Sequence, residues 1–278
     1  MYCFHSLLSN ELNKEDSSLL SIYLATQASW NFPLFIVLSL ILVFYLFLNK
    51  IHKKANITTF QKILFISGII MLYLMIGSPL LSLSYLSFSF HMIQMSIVFF
   101  IVPPLILLGL PTFSLKHKFL LLLKKCTMKP LLALIIFAIL FLFYHVPFVL
   151  TIVNETEMVK NIYLLVLFIL AFMMWSPIAS HKNTTKKDQR RFSKLSSYLI
   201  MPACLFFIVS ALLQTMNNPF MTDLAAHLCL PVNYSIQFLP FPFNTKYDQI
   251  MSGILMISIH KLGIVGTLKV HDRLYTKS

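Results

Sequence analysis

The chain has 278 residues, 58% of them hydrophobic and only 11% charged, against roughly 45–50% and 25% in an average soluble domain. So much apolar surface would form large patches in water, whereas a bilayer solvates it; a soluble enzyme, a nucleic-acid module and a disordered chain are excluded. The net charge of +13 is therefore read by its position relative to apolar spans, and it implies no nucleic-acid partner.

Residues 1–30 lack the basic-then-apolar pattern of a cleaved leader, because Glu11, Lys14, Glu15 and Asp16 precede any long apolar run. They are expected to stay on the chain as an extracytoplasmic segment. A spanning helix needs about 20 mainly apolar residues, and seven such runs follow, at 31–48, 62–82, 91–110, 131–150, 161–179, 197–216 and 249–268. Residues 269–278 form a polar tail. None of the runs contains Asp or Glu, and there is no internal repeat of the kind many transporters carry. The expected fold is an all-α integral membrane protein, a bundle of seven transmembrane helices over 31–268 in contact with membrane lipid.

Orientation follows from the Lys and Arg content of the connections. Segments 49–62, 111–130, 182–196 and 269–278 hold 18 of the 22, while the alternate segments hold only Lys14, Lys160 and Lys246. The N-terminus is expected outside and the C-terminus in the cytoplasm. The outer segment 217–248, with four prolines and six aromatics, is expected to lie across the outer mouth of the bundle, in the headgroup zone. The four cysteines, Cys3, Cys126, Cys204 and Cys229, are scattered without a C-x-x-C pair, so they signal neither a disulfide framework nor a thiolate zinc site.

The third span opens with His91-Met92-Ile93-Gln94-Met95. On a helix, residues four apart share a face, so His91 and Met95 project together at the outer end, with Met92 about 100° around. Imidazole and thioether form a soft donor set suited to Cu(I). The fourth span ends at His145, also outside, and the outer loop offers His227 and Cys229; the bland alternative is apolar methionines and interfacial histidines. Pro103 and Pro104 stand mid-span, where each removes a donor and disrupts the preceding turn, so the freed carbonyls must find partners inside the bundle and this helix should be central. In the last span Lys261 is within snorkelling reach of the cytoplasmic edge. A retinal-type reading of that lysine lacks a carboxylate counter-ion in any span, and the same lack argues against ion-coupled transport. No G-x-S-x-G, H-E-x-x-H or P-loop pattern appears, and no catalysis is expected.

Together, HMIQMSIVFFIVPPLILLGLP (91–111), YHVP (144–147), MMWSPI (173–178), MPAC (201–204) and DQIMSGILM (248–256) resemble the CtaG-type cytochrome c oxidase assembly factors of bacteria. His91, Gln94, Pro103, Pro104, His145, Trp175, Pro177, Asp248 and Gln249 fall on positions of that family's pattern. The resemblance implies a multi-pass protein of the bacterial plasma membrane, a chaperone for a copper-containing terminal oxidase that delivers copper to a nascent oxidase subunit. Many relatives read H-M-x-Q-H, whereas Met95 stands at the second His here, and a further His expected early in the fifth span has no counterpart. The thinned set either holds Cu(I) through His91, Met95 and His145, helped by Met92, or marks altered or lost metal binding. The alternatives from other classes are a transporter or permease for copper or a small solute, and a metal-free structural assembly partner.

The Lys/Arg asymmetry makes a direct prediction. With the native cysteines replaced by serine, Glu157→Cys should react with an impermeant thiol reagent on intact cells and Lys186→Cys should be protected. The reverse labelling would invert the topology.

Overall fold

In hydrocarbon every backbone N–H and C=O must bond within the chain, which a helix achieves by itself. The computed structural model describes residues 29–51, 57–81, 84, 87–110, 130–146, 149, 152–153, 156–179, 186–213 and 245–275, and among them the regular structure is helical throughout. The elements are α1 (Phe32–Ile51), α2 (Thr59–Ile76), α3 (Phe88–Gly109), α4 (Pro130–Tyr144), α5 (Glu157–Ala179), α6 (Lys186–Leu213) and α7 (Thr245–Tyr275). Six carry windows long and apolar enough to cross a membrane; α4, with 15 residues, is a shorter apolar helix. The expected N-terminal segment before residue 29, Pro147, and the outer loop with His227 and Cys229 lie outside the described residues.

Each apolar run contains a helix, but the bounds differ from the expected ones: α2 stops at Ile76 and α4 at Tyr144, short of 82 and 150, whereas the last two run well past the apolar residues, α6 starting at Lys186 and α7 ending at Tyr275. Their polar turns are held by contacts that hydropathy does not register. Lys186 pairs with Asp272, and the Arg273 guanidinium sits over the Phe60 ring at 4.8 Å. These contacts gather the start of α2, which carries Lys62, with the Lys- and Arg-rich start of α6 and end of α7 at one end of the bundle. At the opposite end, the Asn31 N–H donates to the Gly77 carbonyl at 2.9 Å, and the starts of α3 and α7 meet.

The third helix is central. It packs against α2, α5 and α7, and 67% of its span is buried, against 11% for α1, whose outward apolar residues suit lipid contact. Pro103 and Pro104 lack N–H groups, so the carbonyls four residues earlier, those of Phe99 and Phe100, lose their helical donors. The chain answers by widening into a π-turn over Ile97–Ile101, where the Val102 N–H reaches back to the Ile97 carbonyl; such turns absorb a local mismatch in an otherwise continuous helix. The Trp175 indole N–H of α5 donates to the Phe99 carbonyl at 3.1 Å. Beside the Phe100 carbonyl stands Gly263 of α7, where an added Cβ would lie 2.5 Å from that oxygen. The Phe99 carbonyl thus has the expected partner, an indole donor, while the Phe100 carbonyl has the Gly263 position of α7 packed close against it.

Trp175→Phe leaves the Phe99 carbonyl without its donor, a loss of about 1–3 kcal/mol for a buried group, and the smaller ring adds the cost of a cavity at this fully buried position. Gly263→Ala should destabilise further, since its clash is with backbone. Both effects should appear as lower thermal unfolding temperatures of the purified protein in detergent; unchanged values for both would contradict the bracing of α3.

Candidate metal centre

The centre starts from a buried charge. Asp248, in the first turn of α7, is fully buried. Its carboxylate accepts from the Ser87 hydroxyl at 2.6 Å, the Phe88 N–H at 2.6 Å and the Ser89 N–H at 3.0 Å. The Ser89 hydroxyl also donates to the Asp248 carbonyl at 3.0 Å. The carboxylate thus caps the N-terminus of α3 from another helix, where free N–H groups and the helix dipole both favour an anion. This corrects the expectation that no span holds a carboxylate: the apolar run 249–268 stops one residue short of Asp248, but α7 begins before it, at Thr245. Because the carboxylate is occupied by the cap, it offers no free counter-ion for Lys261.

The cap sets the depth and rotation of His91. Ser87 is extended, with φ −145° and ψ 137°, and the His91 N–H bonds its carbonyl at 3.0 Å as one of the first helical bonds of α3. The His91 side chain is buried and lies against the Tyr144 ring, with centroids 6.1 Å apart. Met95, one turn on, precedes the π-turn, so the i, i+4 relation to His91 holds in regular α-helix. Met92 and Met95 are both buried in the main apolar core.

His145 comes from the turn that ends α4, where its N–H bonds the Leu142 carbonyl at 3.0 Å in a tightened last turn. Its Nδ1 is 2.6 Å from the Phe141 carbonyl. A carbonyl can only accept, so the proton sits on Nδ1 and the Nε2 lone pair is left bare. That Nε2 is buried and has no hydrogen-bond partner among the described residues. Phe141, Tyr144 and Phe207 wall the ring, with centroids at 4.6, 5.2 and 5.1 Å.

The structure brings His91 and His145 together, with ring centroids 6.4 Å apart and planes at 65°. Two imidazoles sharing one ion through nitrogens about 2.0 Å away have centroids about 6 Å apart or closer, so a small ring movement closes the difference. Among the described residues no group of three or more His, Cys, Asp or Glu side chains is placed to hold a metal. Gln94 points elsewhere, its Nε2 donating to the Met75 carbonyl in α2 at 2.7 Å. Of the polar residues in the last span, Lys261 donates to the Ser197 hydroxyl at 2.8 Å, and the buried His260 lies against Phe100 with ring centroids 4.8 Å apart.

Sequence reasoning missed the role of Asp248. A serine before the helical HMIQM run is a helix-start signal, yet Ser87 makes no side-chain cap of its own, and the true cap is 161 residues away. The family model described as cytochrome c oxidase caa3 assembly factor matches residues 42–270, a range that includes every residue of this centre. No curated protein and no solved structure matches the chain.

Replacing Asp248 tests the cap. Asp248→Ala removes all three acceptor contacts and should lower stability by at least about 2 kcal/mol, a lost cap plus stranded buried donors. Asp248→Asn, which retains one oxygen, should be milder. Equal unfolding temperatures for Asp248→Ala and wild type would separate the carboxylate from the integrity of α3.

Proposed function

The chain belongs to the cytochrome c oxidase caa3 assembly factor family, and from that premise we propose that it carries Cu(I) to a nascent oxidase subunit by ligand exchange. The observation that carries this reading is the state of His145. Its Nδ1 is held by a backbone carbonyl and its bare Nε2 is buried without a partner, 6.4 Å in ring separation from His91. A burial of that kind is unfavourable unless something accepts the lone pair. The donor set is soft and neutral: two imidazoles, with the Met92 and Met95 thioethers close to His91 in sequence and buried in the core. Such a set prefers Cu(I) to hard cations, and uncharged thioether contacts release a metal more readily than a closed thiolate cage.

The pair lies at the end of the bundle away from the Lys- and Arg-rich start of α6 and end of α7. By the positive-inside bias that end faces outward across a bacterial plasma membrane, which sets the N-terminus outside and gives copper access from the exterior. The chain's own residues then position, bind and release the metal; they perform no bond-breaking chemistry.

The test is Cu(I) binding by purified protein in competition with a chromogenic chelator. Wild type should bind one equivalent. His145→Ala and His91→Ala should each weaken binding at least about tenfold, and Met95→Leu, which keeps the volume and deletes the sulfur, should weaken it less. Stoichiometric binding that survives both histidine changes would place the metal elsewhere, and no binding by the wild type would make the protein a metal-free assembly partner.

A further inference from the structure

Toward the basic end of the bundle, α6 and α7 part to leave a cleft of about 340 Å³. Lys194 and Lys261 both line it, together with Ser193, Ser197 and Tyr198, and among the described residues no Asp or Glu does. Lys261 has the Ser197 hydroxyl as its hydrogen-bond partner, and Ser197 passes its own proton to the Ser193 carbonyl at 2.7 Å. An ammonium has three protons, so one such bond leaves most of its donor capacity and all of its charge uncompensated. Lys194 has no carboxylate partner among the described residues. The buried His260 side chain also lines the cleft, and its Nε2 has no hydrogen-bond partner among the described residues.

The cleft lies on the outer surface of the bundle. Tyr198 is 71% exposed and Met201 46%, and both line it. Lys261 is 13 residues beyond Asp248 in α7, about 20 Å along the axis, which leaves about 10 Å to the far edge of a 30 Å hydrocarbon core. At that depth an ammonium reaches toward the interface, and the anion most available to it is a lipid phosphate. The apolar part of the lining, Ile200, Met201, Cys204 and Ile257, runs on from the two lysines.

We propose that this cleft is a binding site for an anionic phospholipid, with the headgroup phosphate held between Lys194 and Lys261 and an acyl chain lying along the Met201 and Ile257 wall. Charge complementarity selects an anion, because two cations face the cleft and no acid among the described residues does. The apolar wall and the lateral opening select a lipid over free phosphate. The site is separate from the histidine pair and stands whether or not that pair binds copper.

Native mass spectrometry of the full chain in neutral detergent, with equimolar phosphatidylglycerol and phosphatidylcholine, tests the proposal. One phosphatidylglycerol should be retained in preference to phosphatidylcholine, and millimolar inorganic phosphate should not displace it. Lys194→Gln or Lys261→Gln should each reduce retention about fivefold and the double variant about thirtyfold, whereas Lys261→Arg should retain the lipid. Thermal unfolding reports whether each variant is folded, and Lys194, exposed near the start of α6, carries the test alone if the double variant is not. Equal retention of the two lipids, displacement by phosphate, or wild-type retention by a folded glutamine variant would overturn the assignment.

Discussion

The arrangement depends on one desolvated carboxylate. A buried anion is strongly unfavourable unless donors surround it, and Asp248 meets that condition only when Ser87, Phe88 and Ser89 present their donors together. That requires α3 to begin at Phe88 and to meet the first turn of α7 at a fixed height. Few side-chain contacts constrain a helix so fully, because this one sets the start, the axial position and the rotation at once. His91 inherits all three, being one turn inside the helix that the carboxylate caps.

The middle of the same helix is constrained by what it lacks. The missing N–H groups of Pro103 and Pro104 would strand two carbonyls in a medium without water, so neighbours have to approach them. Trp175 does so from α5 and Gly263 from α7. The two requirements act on one element, at its start and its middle, and α3 is accordingly the most buried of the long helices. Lipid-facing positions on α1 carry no comparable demand, and they show it in their exposed Phe, Leu, Ile and Val side chains.

Much of this was legible in the sequence for reasons of length and polarity. Apolar runs become helices because lipid allows no other local solution, and the double proline announced that α3 would be interior. The helix ends were less legible, since Lys186 and Arg273 lie in polar turns whose partners, Asp272 and Phe60, belong to other helices. Placing the last span at 249–268 separated Asp248 from the bundle by a single residue, although its three donors lie at the start of another helix. That His91 and His145 lie near each other accords with their standing at the same end of two spans and with the resemblance that places both on one pattern. The tautomer of His145 was not legible, because it rests on a carbonyl one turn back in a tightened helix end.

The π-turn of α3 has a consequence for phase. A turn closed over five residues takes up one more residue than the α-helical turn it replaces, so the two ends of α3 are offset by about 100° from the relation that an uninterrupted helix would give them. His91 stands before the offset, stacked on Tyr144 of α4, and Gly109 stands after it, against the backbone of Phe65 in α2. The added residue thus acts as a vernier, setting which neighbour each end of the helix addresses.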